Sequence, residues 1–218
     1  ALHMGESIAT ARANAFGNRQ YETSNMTSQM EKSTHQRVIE DYYRITSGIG
    51  SARSSADFAQ CVLGLQRRLG NWLDVTSKDV VDLGSGTGEL CKLAVAHGAR
   101  KVVGVNMSQD EIDFARTQVD AEFALQDIAD FLEHQPESSV DCIYALNILE
   151  HLDKDKLLRV LEAAYRCLRP GGQLVAMVPN ATSPFGGMTR YWDITHHNAF
   201  VPSSVLQLAR TAGFGDAA

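Results

Sequence analysis

The chain has 218 residues, 44% of them apolar and 21% charged, and a formal net charge of −6. This balance excludes wholesale disorder, and the acidic sign makes a nucleic-acid partner a poor expectation. No run of about 18 apolar residues is present, so no membrane span is expected, and the start lacks the basic and apolar regions of a secretion signal.

Residues 1–30 are rich in Ser, Thr, Asn, Gln and Ala without a sustained period, which predicts a flexible arm; Ala1-Leu2-His3-Met4 reads as a cloning remnant. Residues 31–75 read as a helical flank or lid. Val38, Tyr42 and Ile45 recur at helical spacing, and Gly48 and Gly50 then break the pattern. A second helix over 55–69 carries Phe58, Val62, Leu65 and Leu69 on one stripe, with Ser54 or Ser55 as cap and Gly70 as stop.

From Asp79 strands and helices alternate. Strands are predicted at 79–83, 101–105, 122–125, 140–146 and 173–178. Helices are predicted at 88–97, from Ser108 with a capping-box Glu111 to about 119, at 128–133, at 153–168 and from Pro202 onward. Pro170-Gly171-Gly172 closes the helix before the fifth strand. Such alternation predicts an α/β fold: a doubly wound, mostly parallel sheet of about five strands, with ligands at the strands' carboxyl ends. Cys61, Cys91, Cys142 and Cys167 lie far apart in apolar stretches, so they read as small buried hydrophobes in a reducing cytoplasm rather than as a metal or redox set.

The most informative stretch is Val80-Val81-Asp82-Leu83-Gly84-Ser85-Gly86-Thr87-Gly88-Glu89, where glycines alternate as a strand turns into a helix. The dinucleotide fingerprint G-x-G-x-x-G requires its third glycine one residue later, and Glu89 at the helix start repels a pyrophosphate. A tight turn without a ligand is a third reading. With the acid ahead of it, the segment resembles motif I of the class I S-adenosylmethionine-dependent methyltransferases. Ala145-Leu146-Asn147-Ile148-Leu149-Glu150-His151-Leu152 resembles their segment after strand four, and Arg169-Pro170-Gly171-Gly172-Gln173-Leu174 their turn into strand five. The resemblance spans roughly residues 78–214 and implies a Rossmann-like core over 76–218 with S-adenosylmethionine as cofactor and S-adenosylhomocysteine as product.

The resemblance assigns roles one residue at a time. Asp82 takes the place of the acid at the methionine end, and Gly84, Ser85, Gly86 and Gly88 form the loop against the cofactor. Asn106, followed by Met107, stands where relatives have an acid on the ribose hydroxyls; an amide keeps hydrogen bonding but loses charge-assisted strength. Asp127 and Ile128 match the adenine contacts, and Asn147 a backbone contact to the amino-acid moiety. His151 is open to either a ligand contact or a structural role at the helix start.

The connection from Asn180 to Phe200 is long, and it carries aromatics, histidines, an Arg and an Asp, so it reads as the substrate wall. Its segment Arg190-Tyr191-Trp192-Asp193-Ile194-Thr195-His196-His197 resembles the methyltransferase subgroup associated with polysaccharide and O-antigen biosynthesis. Arg190 can hold a phosphate or carboxylate, Tyr191 and Trp192 can stack on a sugar, and Asp193 can orient a histidine. His196 is the first choice for a base and His197 the second. A self-satisfied Arg–Asp–His network that merely shapes the loop is the competing reading. No metal site is expected.

The expected reaction is O-methylation of a saccharide or glycan intermediate by direct displacement. The alternatives are a small non-sugar metabolite as acceptor, or a cofactor-binding domain inactive outside a larger protein. Only four residues follow Phe214, where the family places a β-hairpin. The expectation is therefore a domain excised from a longer chain, with a homodimer or a neighbouring domain covering the sheet edge.

Overall fold

The computed structural model of the chain describes residues 54–215. The predicted arm and the helix around Val38–Ile45 lie outside these residues.

Helix α1 (Ser55–Leu69) begins with a full capping box: Ser54 accepts from the Asp57 backbone N–H at 3.1 Å, and the Asp57 carboxylate accepts from the Ser54 N–H at 3.2 Å. Its buried stripe is Phe58, Leu65 and Leu69, and Gly70 ends it at φ +51°. Cys61, at the edge of this stripe, is exposed, which corrects the expectation that all four cysteines are buried. The other three are buried, and all four are free thiols.

The elements that follow are β1 (Asp79–Leu83), α2 (Glu89–Ala96), β2 (Lys101–Asn106), α3 (Gln109–Gln118), β3 (Glu122–Leu125), α4 (Ile128–Glu133), β4 (Val140–Leu146), α5 (Lys154–Cys167), β5 (Leu168–Met177), α6 (Gly186–Tyr191) and α7 (Pro202–Thr211). The strands form one parallel sheet in the order β3-β2-β1-β4-β5. Strand order reverses at β1, which is the point where doubly wound sheets open a ligand crevice.

Side chains alternate across the sheet with period two, and the core divides accordingly. Val81, Leu83, Ile143 and Ala145 join one cluster with residues of α4 and α5. Val80, Cys142 and Tyr144 join the other with residues of α1 and α2. Tyr144 is fully buried, and its hydroxyl donates to the Trp72 carbonyl at 2.7 Å.

Two predicted boundaries move. Strand β5 starts at Leu168 rather than Gln173: Leu168 pairs with Val140, the chain bulges over four residues, and pairing resumes with Gln173 opposite Cys142. The bulge serves an ion-pair cluster at the amino end of the sheet, where Arg169 meets Asp141 at 2.8 Å and Asp79 at 3.1 Å. The long connection after β5 also contains the short helix α6, and its two ends are joined by a parallel bridge between Asn180 and Phe200. No helix among the described residues is long and apolar enough to cross a membrane.

Candidate functional site

The glycine loop sits where β1 gives way to α2. Gly84, Gly86 and Gly88 all have positive φ, at +71°, +50° and +90°, a region costly for residues with a Cβ. Gly84 and Ser85 donate their backbone N–H groups to the Val105 carbonyl at 2.9 and 3.0 Å, tying the loop to β2. A Cβ on Gly84 would fall 2.9 Å from the Ile148 side chain, whereas one on Gly86 would meet nothing within 4 Å. The loop is thus packed on one side by the segment after β4 and open above Gly86.

Asp82 is the next-to-last residue of β1, two positions before Gly84. It is 3% exposed, and the Cys91 thiol donates to its Oδ2 at 3.6 Å. Burial pushes its carboxyl up to about 7; the Cys91 contact opposes the rise and the charge of Glu89 adds to it. Ser85 Oγ is buried without a partner. A poorly satisfied carboxyl, an orphaned hydroxyl and a cradle without side chains fit a small zwitterion carrying an ammonium, as the methionine end of S-adenosylmethionine does.

Asn106 is buried at the end of β2, and its amide donates to Glu111 Oε2 at 2.7 Å. The predicted capping box is half made: Ser108 accepts from the Glu111 backbone N–H at 3.4 Å, while the Glu111 carboxylate turns to Asn106. A buried carboxylate is therefore delivered beside Asn106 from α3 instead of from β2. Sequence reading has Glu111 only as a capping-box residue and misses this use of it, because its partner Asn106 comes from the preceding strand. Met107 beside it is 55% exposed.

Asp127 caps α4 by accepting from the backbone N–H groups of Ala129 and Asp130, and it pairs with Lys156. Burial alone would raise its carboxyl, but Lys156 and the two N–H groups outweigh that and hold it below the usual range. Ile128 is buried as the first residue of α4. Asn147, exposed at φ +54°, donates its N–H to the Met177 carbonyl at 2.8 Å.

The loop between β5 and α7 comes back over the end of β4. His197 and Asn198 donate their N–H groups to the Glu150 carbonyl at 2.7 and 3.1 Å, and the Asn198 side chain donates to the Leu152 carbonyl. Asp193 accepts from the Thr195 hydroxyl at 2.6 Å and its N–H at 2.8 Å. His151 Nδ1 meets Thr195 Oγ1 at 2.7 Å, and His196 Nδ1 donates to the Thr189 carbonyl at 2.9 Å. The two imidazoles touch edge to face, with centroids 4.7 Å apart. Burial, with His196 alongside, pushes His151 down to about 4, so it is neutral at pH 7. Burial of Glu150 pushes its carboxyl up to about 7. Asp193 stays below the usual range because the Thr195 contacts outweigh its burial.

The structure therefore gathers His151, Asp193 and His196, and adds Glu150, Thr189 and Thr195, which sequence reading did not single out. It separates the other candidates. Tyr191 and Trp192 are 78% and 71% exposed. Arg190 lies 5.1 Å over the Tyr191 ring and donates to the His197 carbonyl at 3.3 Å rather than pairing with Asp193. The His197 side chain is exposed. The Asn180 side chain accepts from Thr182 at 2.9 and 2.7 Å, shaping the turn.

A family model described as a methyltransferase domain matches residues 55–217. The ribosomal protein L11 methyltransferase of Shewanella piezotolerans is 33% identical over 103 residues, which is 47% of this chain and 34% of that protein. Methyltransferase GfsG of Streptomyces halstedii is 33% identical over 110 residues, 47% of this chain and 38% of that protein. The chain thus spans about a third of the length of these relatives. Among solved structures, a SAM-dependent methyltransferase from Archaeoglobus fulgidus shares the fold with a TM-score of 0.64 and 24% identity, over 70% of this chain and 68% of that one. The PH0226 protein of Pyrococcus horikoshii has a TM-score of 0.62 and 19% identity, over 78% and 88% of the two chains.

Proposed function

The chain belongs to the methyltransferase domain family, and from that premise we propose that it transfers a methyl group from S-adenosylmethionine to a hydroxyl of a saccharide-like acceptor. The observation that carries the cofactor part is the buried, poorly satisfied Asp82 carboxyl under a glycine cradle with open space above Gly86. Asp82 would hold the ammonium of the methionine end. Asn106 and Glu111 together would meet the ribose hydroxyls, and Asp127 with Ile128 the adenine edge. The bound cofactor supplies an electrophilic methyl on a sulfonium, and the protein's main contribution is to bring the acceptor oxygen in line with it.

The exposure of Tyr191 and Trp192, with the Arg190 guanidinium over one face of the Tyr191 ring, supports an acceptor that is flat or sugar-like and polar at its edge. His196, its Nδ1–H pinned by Thr189, presents Nε2 as the basic nitrogen for the acceptor proton. Asp193 positions that cluster through Thr195.

The test is calorimetric titration of the full chain with S-adenosylmethionine and S-adenosylhomocysteine, followed by an acceptor screen that measures S-adenosylhomocysteine release. Micromolar binding that Asp82→Ala abolishes, with turnover on a sugar or nucleotide sugar, is the expected result. Turnover only on a non-sugar metabolite or on a ribosomal protein would overturn the acceptor. Binding without turnover on any acceptor would favour a domain that is inactive alone, and absence of binding would overturn the cofactor assignment.

A further inference from the structure

Under the loop after β5, one carboxylate oxygen of Glu150 and one nitrogen each of His151 and His196 lie within 4.8 Å of one another. Methyl transfer has no use for all three. Glu150 is 1% exposed, and its Oε2 has no hydrogen-bond partner. A carboxylate in that setting needs a positive charge or donors, and the described residues give its Oε2 no donor.

The imidazoles are held in one tautomer. A carbonyl only accepts, so the contact to Thr189 puts the His196 proton on Nδ1 and the lone pair on Nε2. The Thr195 hydroxyl gives its hydrogen to Asp193, so its oxygen accepts from His151 Nδ1, and the lone pair of that ring is likewise on Nε2. Imidazoles that bind metals are oriented in this way, with the second ring nitrogen tied to a carbonyl or a carboxylate relay. Two imidazoles and one carboxylate suit a divalent first-row transition ion better than Mg²⁺ or Ca²⁺, which take oxygen donors. Donors about 2.1 Å from one ion stand roughly 3 to 4 Å apart, so loading requires only a small closure of the side chains.

We propose that Glu150, His151 and His196 bind a divalent transition-metal ion that pins the loop of residues 178–200 to the segment after β4. The ion adds a bond between the two segments that the Glu150 carbonyl already joins through the N–H groups of His197 and Asn198. The site does not depend on the methyl-transfer reading, since a chain that failed to bind the cofactor would still bind the ion. In the loaded protein the His196 lone pair belongs to the ion; if the site fails, its assignment as proton acceptor stands.

The experiment uses the full chain, freed of metal with a chelator, then titrated with ZnCl₂ by calorimetry and with CoCl₂ by visible absorption. Saturable one-to-one binding is expected, with cobalt bands of nitrogen ligation and a higher thermal midpoint on zinc loading. Glu150→Gln and His196→Asn should each weaken binding at least about 100-fold, and Thr195→Val, which removes the relay to His151, about 10-fold or more. His97→Ala, an exposed histidine outside the cluster, should change nothing. Absence of one-to-one binding in the unmodified chain, or binding that survives both ligand substitutions, overturns the proposal. Should Glu150→Gln not fold, His196→Asn and Thr195→Val decide it.

Discussion

Asp82 should make the protein less stable as pH rises, and Asp82→Asn should remove that dependence. The carboxyl is pushed from an ordinary value of 3.8 up to about 7 by its burial. Below the unfolded value both states hold the proton, and the group carries no penalty. Between 3.8 and 7 the unfolded chain releases its proton while the folded chain keeps it, so stability falls through this window and levels off above it. A rise of that size corresponds to roughly 4 kcal/mol at full ionisation, at about 1.4 kcal/mol per pH unit. Asn has nearly the same shape and no proton to lose. Its stability advantage over the unmodified chain should therefore grow by about 2 to 3 kcal/mol between pH 5 and pH 8. Urea denaturation of both proteins without ligand at the two pH values measures this, and comparing the pair cancels the other titrating groups. An advantage that stays flat with pH would refute the argument, because Asp82 would then already be ionised in the fold.

The same carboxyl must ionise to hold an ammonium, so cofactor affinity should weaken about tenfold per pH unit below 7, and Asp82→Asn should flatten the profile; calorimetry at pH 6 and 8 checks both. Glu111→Ala should weaken S-adenosylmethionine about tenfold by removing the carboxylate that Asn106 engages, and Glu111→Gln should do less; stability unchanged in urea would separate binding from folding. Gly84→Ala should lose about 2 kcal/mol, from its positive φ and the 2.9 Å approach to Ile148, seen as a lower urea midpoint. Asp141→Ala should cost about 1 to 2 kcal/mol, because it strips a partner from Arg100, Arg169 and the Asp79 N–H at the far end of the sheet, with cofactor affinity unmoved.

The elements that the sequence revealed are those whose signals are local. The apolar run of β1, the glycines after it and the Ser54 and Ser108 caps each act within a few residues, and α1, β1 and α2 fall at or within one residue of their predicted bounds. Strand β5 was misplaced because Arg169-Pro170-Gly171-Gly172 has turn chemistry, yet its arginine is fixed by acids on β1 and β4. Glu111 and Glu150 were overlooked for the same reason. An acid in an apolar run such as Ile148-Leu149-Glu150-His151-Leu152 has no local signature of burial, and the partners that define it arrive from elsewhere in the chain.

Sheet order explains why those distant partners converge. Chain leaving β1 turns toward β2, whereas β4 and β5 lie on the other side, so the connections after β1 and β4 part at the carboxyl edge and leave a crevice. Its near wall is the glycine loop, tied through Gly84 and Ser85 to Val105 of β2. Its other wall begins at Asn147 and Ile148, and Ile148 packs against Gly84. Two residues later Glu150 receives the loop from β5 on its carbonyl. Among the described residues, a shift of the 178–200 loop is thus linked to the cradle by a short path through Glu150, Leu149 and Ile148. Whatever orders that loop, acceptor or ion, therefore acts on the wall against which the methyl donor would lie.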